Sequence, residues 1–275
     1  MSDGLRSAEN RAESAAALLG PGDPPAFEIV NHAGAGRAVL ICDHAGRAIP
    51  AALGSLGLDE AALWRHIAWD IGIADVTRRL ARHLDAPAVL AGYSRLVIDC
   101  NRRLDDPTSI AQESDGVRVP GNCGLTAADR AARSDACFHP YHRAVEWLID
   151  GRLKAGLVPA VISMHSFTPV MNGFERPWHV GILWNRDPRL PVPLLERLGK
   201  EPGVCVGDNE PYTGRDEHGH SIYVHGEDLG LPHVLIELRQ DLIDTHHGAE
   251  DWAGRLGAVF AELLAEDGLY RVEKP

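Results

Sequence analysis

Paired cysteines are missing from this sequence. The five present, Cys42, Cys100, Cys123, Cys137 and Cys205, are odd in number and never stand in CxxC spacing, which argues against a disulfide framework and a thiolate zinc site and fits a reducing cytoplasm. No apolar run is long enough to span a bilayer, and the stretch from Ala15 to Leu19 is too short for a signal segment, so neither export nor anchoring is expected. HExxH, GxSxG and a glycine-rich phosphate loop are also absent. Gly34-Ala35-Gly36 precedes an apolar run instead of following one, so it fails the context for dinucleotide binding, and Ser166 lacks a nucleophile elbow. Basic residues are in deficit: 39 acids against 27 bases give a formal charge of -12. Nucleic acid and anionic membranes are therefore disfavoured as partners, and an anionic ligand must be small and locally paired.

What is present suits one substantial core, since 275 residues with 45% apolar content can fold as a single α/β unit. Residues 1–25 end in Gly20-Pro21-Gly22-Asp23-Pro24-Pro25 and carry few bulky apolar groups, which predicts an N-terminal arm, partly helical or disordered, before a domain over 26–275. Ala38–Cys42 reads as a buried strand, Ile73, Val76, Leu80 and Leu84 mark a helix face, and Ala88–Leu90 is extended again. Thr126 and Asp129 form a capping box for a helix to about Phe138, and Pro140 suits the first turn of a second helix to Lys154. Val158–Ser163, Val180–Trp184 and Val234–Leu238 read as further strands, and Trp252–Leu264 as a closing amphipathic helix. The pattern predicts a three-layer α/β/α sandwich with a mixed, mainly parallel sheet and a ligand site at the strand C-termini.

Polar residues directly after such runs are the candidates for chemistry. Asp43-His44 follows Ala38–Cys42, Asp99-Cys100-Asn101-Arg102 follows the apolar triplet Leu96–Ile98, and His165-Ser166 follows Val161–Met164. Asp70 opens the helix led by Ile71, where it is either a ligand or an N-cap. Glu237 interrupts an apolar run, so it is either functional or buried in an ion pair with Arg239 or another arginine. Arg95 and Arg102 suit a substrate carboxylate or structural pairs with Asp99 or Asp105. His139 and His142 lie near a helix start, where a neutral imidazole orients a polar group. Asp208–Gly214, with Asn209 and Tyr212, is rich in turn residues and is expected as a loop over the site.

Five blocks in order, Asp43-His44-Ala45-Gly46, Ser94 to Arg102, Pro140-Tyr141-His142, Ser163 to Ser166 and Ile236 to Gln240, resemble the N-formylglutamate amidohydrolase family. The resemblance implies a phosphorylase/hydrolase-like sandwich with one catalytic zinc, similar to zinc carboxypeptidases and aspartoacylase-like deacylases. It implies His44 and His165 as metal ligands, Asn101-Arg102 with Arg95 as a clamp for the substrate carboxylate, and Glu237 as the base. Arg47 stands where the relatives carry a ligand glutamate, and a guanidinium cannot coordinate zinc. Asp70 is the expected replacement, with Asp43 as the alternative. The resulting expectation is a zinc-dependent amidohydrolase for a small N-acyl amino acid, with Glu237 and His142 catalytic. Arg95, Asn101, Arg102, Asn209 and Tyr212 are expected to bind substrate, and His44, Asp70 and His165 to hold the metal. A carboxypeptidase or amidase for a larger substrate and a non-catalytic metabolite binder are the competing readings.

Overall fold

The computed structural model describes residues 18–215 and 219–273. Seven strands build one mixed sheet: β1 (Phe27–Val30), β2 (Ala38–Cys42), β3 (Ala88–Ala91), β4 (Ala160–Phe167), β5 (Val180–Leu183), β6 (Val206–Asp208) and β7 (His233–Arg239). Their order is β1-β3-β2-β4-β7-β5-β6. The central strands β3, β2, β4 and β7 run parallel, while β1 opposes β3 and β5 opposes β7. β2 is buried at every residue, as a strand covered on both faces must be. One face, with Leu40, Ile162 and Ile236, packs beneath the helices α1 (Ile73–His83), α4 (Pro191–Leu198) and α5 (His246–Leu263). The other, with Val39, Ile41 and Val161, packs on Tyr141, Val145 and Leu148 of α3 (His139–Lys154). The expected three-layer sandwich is the fold observed.

α2 (Ala127–Arg133) starts at the expected Thr126–Asp129 capping box. It does not stop before α3. A π turn, Ser134–Phe138, joins the two into one helical run, and Pro140, which has no N–H to donate, sits just past this change of register. Ala136, Cys137 and Phe138 of the π turn pack with Ile98 in a loop-side apolar cluster, and α3 packs against the sheet.

Two local expectations are corrected. Leu96–Ile98 is not a strand: Val97 N–H bonds back to Ser94 C=O at 2.9 Å, and all three side chains are buried in the loop-side cluster. Past β3 the chain makes only an isolated bridge between Tyr93 and Ala48, so with no neighbouring strand the triplet buries itself as a turn. Asp70 does not cap a helix. α1 begins at Ile73 behind Gly72, which takes a left-handed φ of 80° and whose missing Cβ leaves room for Ile243 C=O, 2.2 Å from where that atom would stand. Asp70 instead docks by its backbone N–H on His44 C=O at 3.0 Å, which turns its side chain towards the strand ends. Of the expected arm, residues 1–17 lie outside the described residues. Leu18 is buried in the loop-side cluster, and Tyr93 Oη donates to Pro24 C=O, so residues 18–25 lie against the fold.

Candidate active site

The C-terminal ends of β2 and β4 bring His44 and His165 together, and the docked segment adds Asp70. All three are buried. His44 Nε2 lies 2.7 Å from Asp99 Oδ1, and His165 Nε2 lies 3.1 Å from Asp43 Oδ2. A carboxylate only accepts, so each Nε2 carries a proton and each ring turns its Nδ1 inward. There the two Nδ1 atoms stand 3.2 Å apart, with Asp70 Oδ2 at 3.4 Å from His44 and 3.1 Å from His165. Two ring nitrogens and a carboxylate oxygen this close repel one another unless a proton or another cation sits among them. Tetrahedral ligands on bonds near 2.1 Å are separated by about 3.4 Å, so the donor set matches zinc in type and in spacing.

The electrostatics agree. Burial alone would lower the His165 pKa, but hydrogen bonds to Asp43 and Asp70 outweigh it and push it up to about 10. A proton there supplies part of the positive charge that the three converging atoms call for. Asp43, Asp70 and Asp99 stay ionised despite burial, because His165, His44 and Arg95 lie against them. Arg95 contributes the nearest fixed cation: its guanidinium touches the His44 ring, lies 3.3 Å from Asp70 Oδ1 and is 3.7 Å from Asp99 Oδ2.

Glu237 is paired with His165 across β7 and β4, so both side chains emerge on one face. Its Oε2 is buried without a hydrogen-bond partner. Burial, with the Asp70 charge adding to it, raises its pKa to about 7. The alternative pairing with Arg239 does not form, since Arg239 binds Asp241 at 2.8 Å. A cavity of about 670 Å³ opens over His44, Asp70, His165 and Glu237. The arrangement gathers three donor atoms that could hold a cation, an unpartnered carboxylate oxygen beside them and room for a small organic ligand.

The N-formylglutamate amidohydrolase family model matches residues 36–244, most of the chain. The chain belongs to that family. A solved structure of an Agrobacterium tumefaciens gene product is similar at 35% identity, with a TM-score of 0.87 over 90% of this chain and 98% of that one. The N-formylglutamate amidohydrolase of Ralstonia eutropha JMP134 shares the fold at 17% identity, with a TM-score of 0.65 over 88% of this chain and 98% of that one. A curated relative, the imidazoleglycerol-phosphate dehydratase of Streptomyces griseus subsp. griseus, is 39% identical over 88 residues, 29% of this chain and 44% of that protein. The chain thus spans less than half the length of that relative, and the stretch carries no functional reading.

Within this amidohydrolase-family site the remaining predicted residues fall into two groups. Arg95, Asn101, Arg102, Asn209 and Tyr212 all line the cavity. Arg102 Nη1 donates to Asn101 C=O at 3.1 Å; of the two alternative partners, Asp105 is held by Arg103 at 2.8 Å, whereas Asp99 does pair with Arg95, at 3.7 Å. Asn209 Oδ1 accepts from Trp184 N–H at 3.1 Å and Gly214 N–H at 2.8 Å, so this amide shapes its loop. Tyr212 Oη accepts from Arg176 at 3.1 Å. His142 is the exception. It lies behind the cavity on α3, with Nδ1 2.8 Å from His225 Nε2 and Nε2 2.9 Å from Cys100 C=O, because its helix face turns into the layer behind the strand ends. Arg47 points elsewhere, its guanidinium 3.6 Å over the Trp64 ring.

Sequence reasoning missed the supporting shell. Asp43, considered as a ligand, stands behind His165 and accepts from Ser221 Oγ at 2.5 Å. A buried ligand histidine needs an acceptor for its second nitrogen, and Asp43 and Asp99 were the carboxylates adjoining the candidate segments. The cavity wall from Leu183, Trp184, Ile222 and Tyr223 carries no such signal, since it joins separate segments.

No helix among the described residues is long and apolar enough to cross a membrane.

Proposed function

We propose that this chain is a zinc-dependent amidohydrolase that cleaves the amide bond of a small N-acyl amino acid. The observation that carries the reading is the convergence of two imidazole Nδ1 atoms and one carboxylate oxygen, 3.1–3.4 Å apart, beside the buried, unpartnered Oε2 of Glu237. When bound, zinc supplies Lewis acidity towards the amide carbonyl and acidifies water at neutral pH. Asp43 and Asp99 orient the rings of His165 and His44 through Nε2–H, so both Nδ1 atoms point at the shared centre, where a metal would displace the proton that His165 otherwise holds. Glu237 accepts a proton from the attacking water and returns it to the nitrogen of the leaving amine as the C–N bond breaks. A pKa raised towards 7 suits a group that must take and give the same proton. Arg102, with Arg95 and Asn101 beside it, holds the substrate carboxylate and so fixes the amide against the metal-binding group. His142 is outside this scheme, because its ring does not reach the cavity.

The test pairs metal analysis with one substitution. Protein purified without a histidine tag is expected to hold about one zinc per chain. Chelation should abolish hydrolysis of N-acyl amino acids, and zinc should restore it. Glu237→Gln should keep the zinc and lower kcat by about a hundredfold or more. Full-rate hydrolysis by metal-free protein, or wild-type kcat in the glutamine variant, overturns the proposal.

A further inference from the structure

Three residues of β7 decide the shape of the cavity. His233, Leu235 and Glu237 alternate along the strand, share one face and all line the cavity. Four residues of strand separate Glu237 from His233, about 13 Å at 3.3 Å per residue. The cavity is therefore a slot that leaves the metal end and runs down the sheet. Its middle is apolar: Leu235 faces its cross-strand partner Leu183, and Ile222 and Tyr223 of the segment His220–Glu227 stand opposite. The floor is closed by His233 and Glu227, and the Glu227 carboxylate already accepts from Arg186 at 2.7 Å and Asn185 at 3.0 Å.

The loop wall is equally well built. Gly181 lies opposite Glu237 on β5, and a Cβ there would stand 2.1 Å from Glu210 C=O. Only a glycine lets the 208–214 segment seat its backbone on the sheet at this point. Arg95 follows β3 and stands at the metal end, 3.3 Å from Asp70 Oδ1, whereas Leu235 and Leu183 lie two residues along their strands from Glu237 and Gly181. A carboxylate fits the Arg95 end, and an extended apolar group fits the slot.

We infer that the slot takes the acyl group, and that the preferred substrate is an N-acyl amino acid whose acyl chain is extended and apolar, such as a medium-chain or arylacetyl group. This rests on the proposed hydrolysis of N-acyl amino acids and names the acyl class. A formyl group would leave Leu235, Leu183 and Ile222 facing water. Each methylene moved out of water is worth about three- to fourfold in affinity, so three seated methylenes give about thirtyfold or more.

The experiment compares N-formyl, N-acetyl, N-octanoyl and N-phenylacetyl derivatives of a panel of amino acids, at constant amino acid. kcat/KM should rise at least tenfold from formyl to octanoyl or phenylacetyl. Leu235→Trp, which fills the slot, should collapse that ratio, and Ile222→Trp does the same from the other wall should the first variant fold poorly. Calorimetry on zinc-depleted protein supplies a second readout: the octanoyl compound should bind at least tenfold tighter than the formyl one, and either tryptophan should remove the difference. Hydrolysis with formyl equal to or better than octanoyl, or binding indifferent to chain length, overturns the inference. Selective binding of octanoyl compounds with no hydrolysis would sustain the slot and sink the hydrolase reading.

Discussion

Two buried histidine pairs lie one behind the other in this molecule, and they behave in opposite ways. His44 and His165 each face a carboxylate through Nε2, and the His165 pKa is driven up to about 10 against the pull of burial. His142 and His225 face each other, the Cys100 carbonyl and the ring of Phe138. With no carboxylate in hydrogen-bond contact, burial wins and their pKa values fall to about 4 and about 3. Residue type and burial are alike; the partner decides. His165 gathers positive charge, whereas His142 and His225 exclude it and form a neutral packed layer.

The sharpest way to break this contrast is to remove one ring from each pair. His165→Ala should lose zinc and drop kcat/KM by about a thousandfold or more, since it deletes a ligand. His225→Ala should retain zinc and stay within a few-fold of wild type. Equal losses of metal in the two variants would erase the distinction between them.

A smaller effect tests whether the carboxylates make the difference. Asp43→Asn keeps the shape but offers an amide where His165 Nε2 needs an anion, and zinc affinity should weaken about ten- to a hundredfold. Competition titration with a chelator measures it directly. Unchanged affinity would mean that Asp43 merely fills space.

The mildest test concerns pH and the rear pair. His142 protonates in the unfolded chain below about 6.5 but in the fold only below about 4. Its neutral burial therefore contributes stability that is fully present above pH 6.5 and is lost as pH falls towards 4. His142→Gln should flatten the decline of unfolding free energy across that window, as read from denaturant titrations at several pH values. A decline as steep as that of wild type would place the acid sensitivity elsewhere.

Much of this fold was legible because its cues are local. Ala38–Cys42 is the observed strand residue for residue, and the Thr126–Asp129 box and Pro140 fall where their chemistry requires. The misreadings came where tertiary context overrides a short pattern. Leu96–Ile98 looks like a strand but has no strand to pair with, and Asp70 looks like a cap but is carried past its helix by Gly72. In the candidate site, His44 and His165 could be proposed from sequence because they follow apolar runs, Glu237 because it interrupts one, and Asp70 as the carboxylate replacing the one that Arg47 cannot supply. The slot could not, because Leu183, Ile222 and Leu235 are ordinary apolar residues until the sheet register sets them around one space.

The π turn at Ser134–Phe138 also has a mechanical meaning. One residue inserted into a helix rotates everything after it by about 100°. That offset lets a single rod serve two cores, with Arg133 reaching Val97 C=O on the loop side and Tyr141 and Val145 pressed to the sheet. The helix works like a shaft keyed at a fixed angle. Deleting one residue between 134 and 138 would do more than shorten it: the whole sheet-facing side, His142 included, would swing out of mesh, whereas a deletion in an exposed turn is absorbed where it occurs.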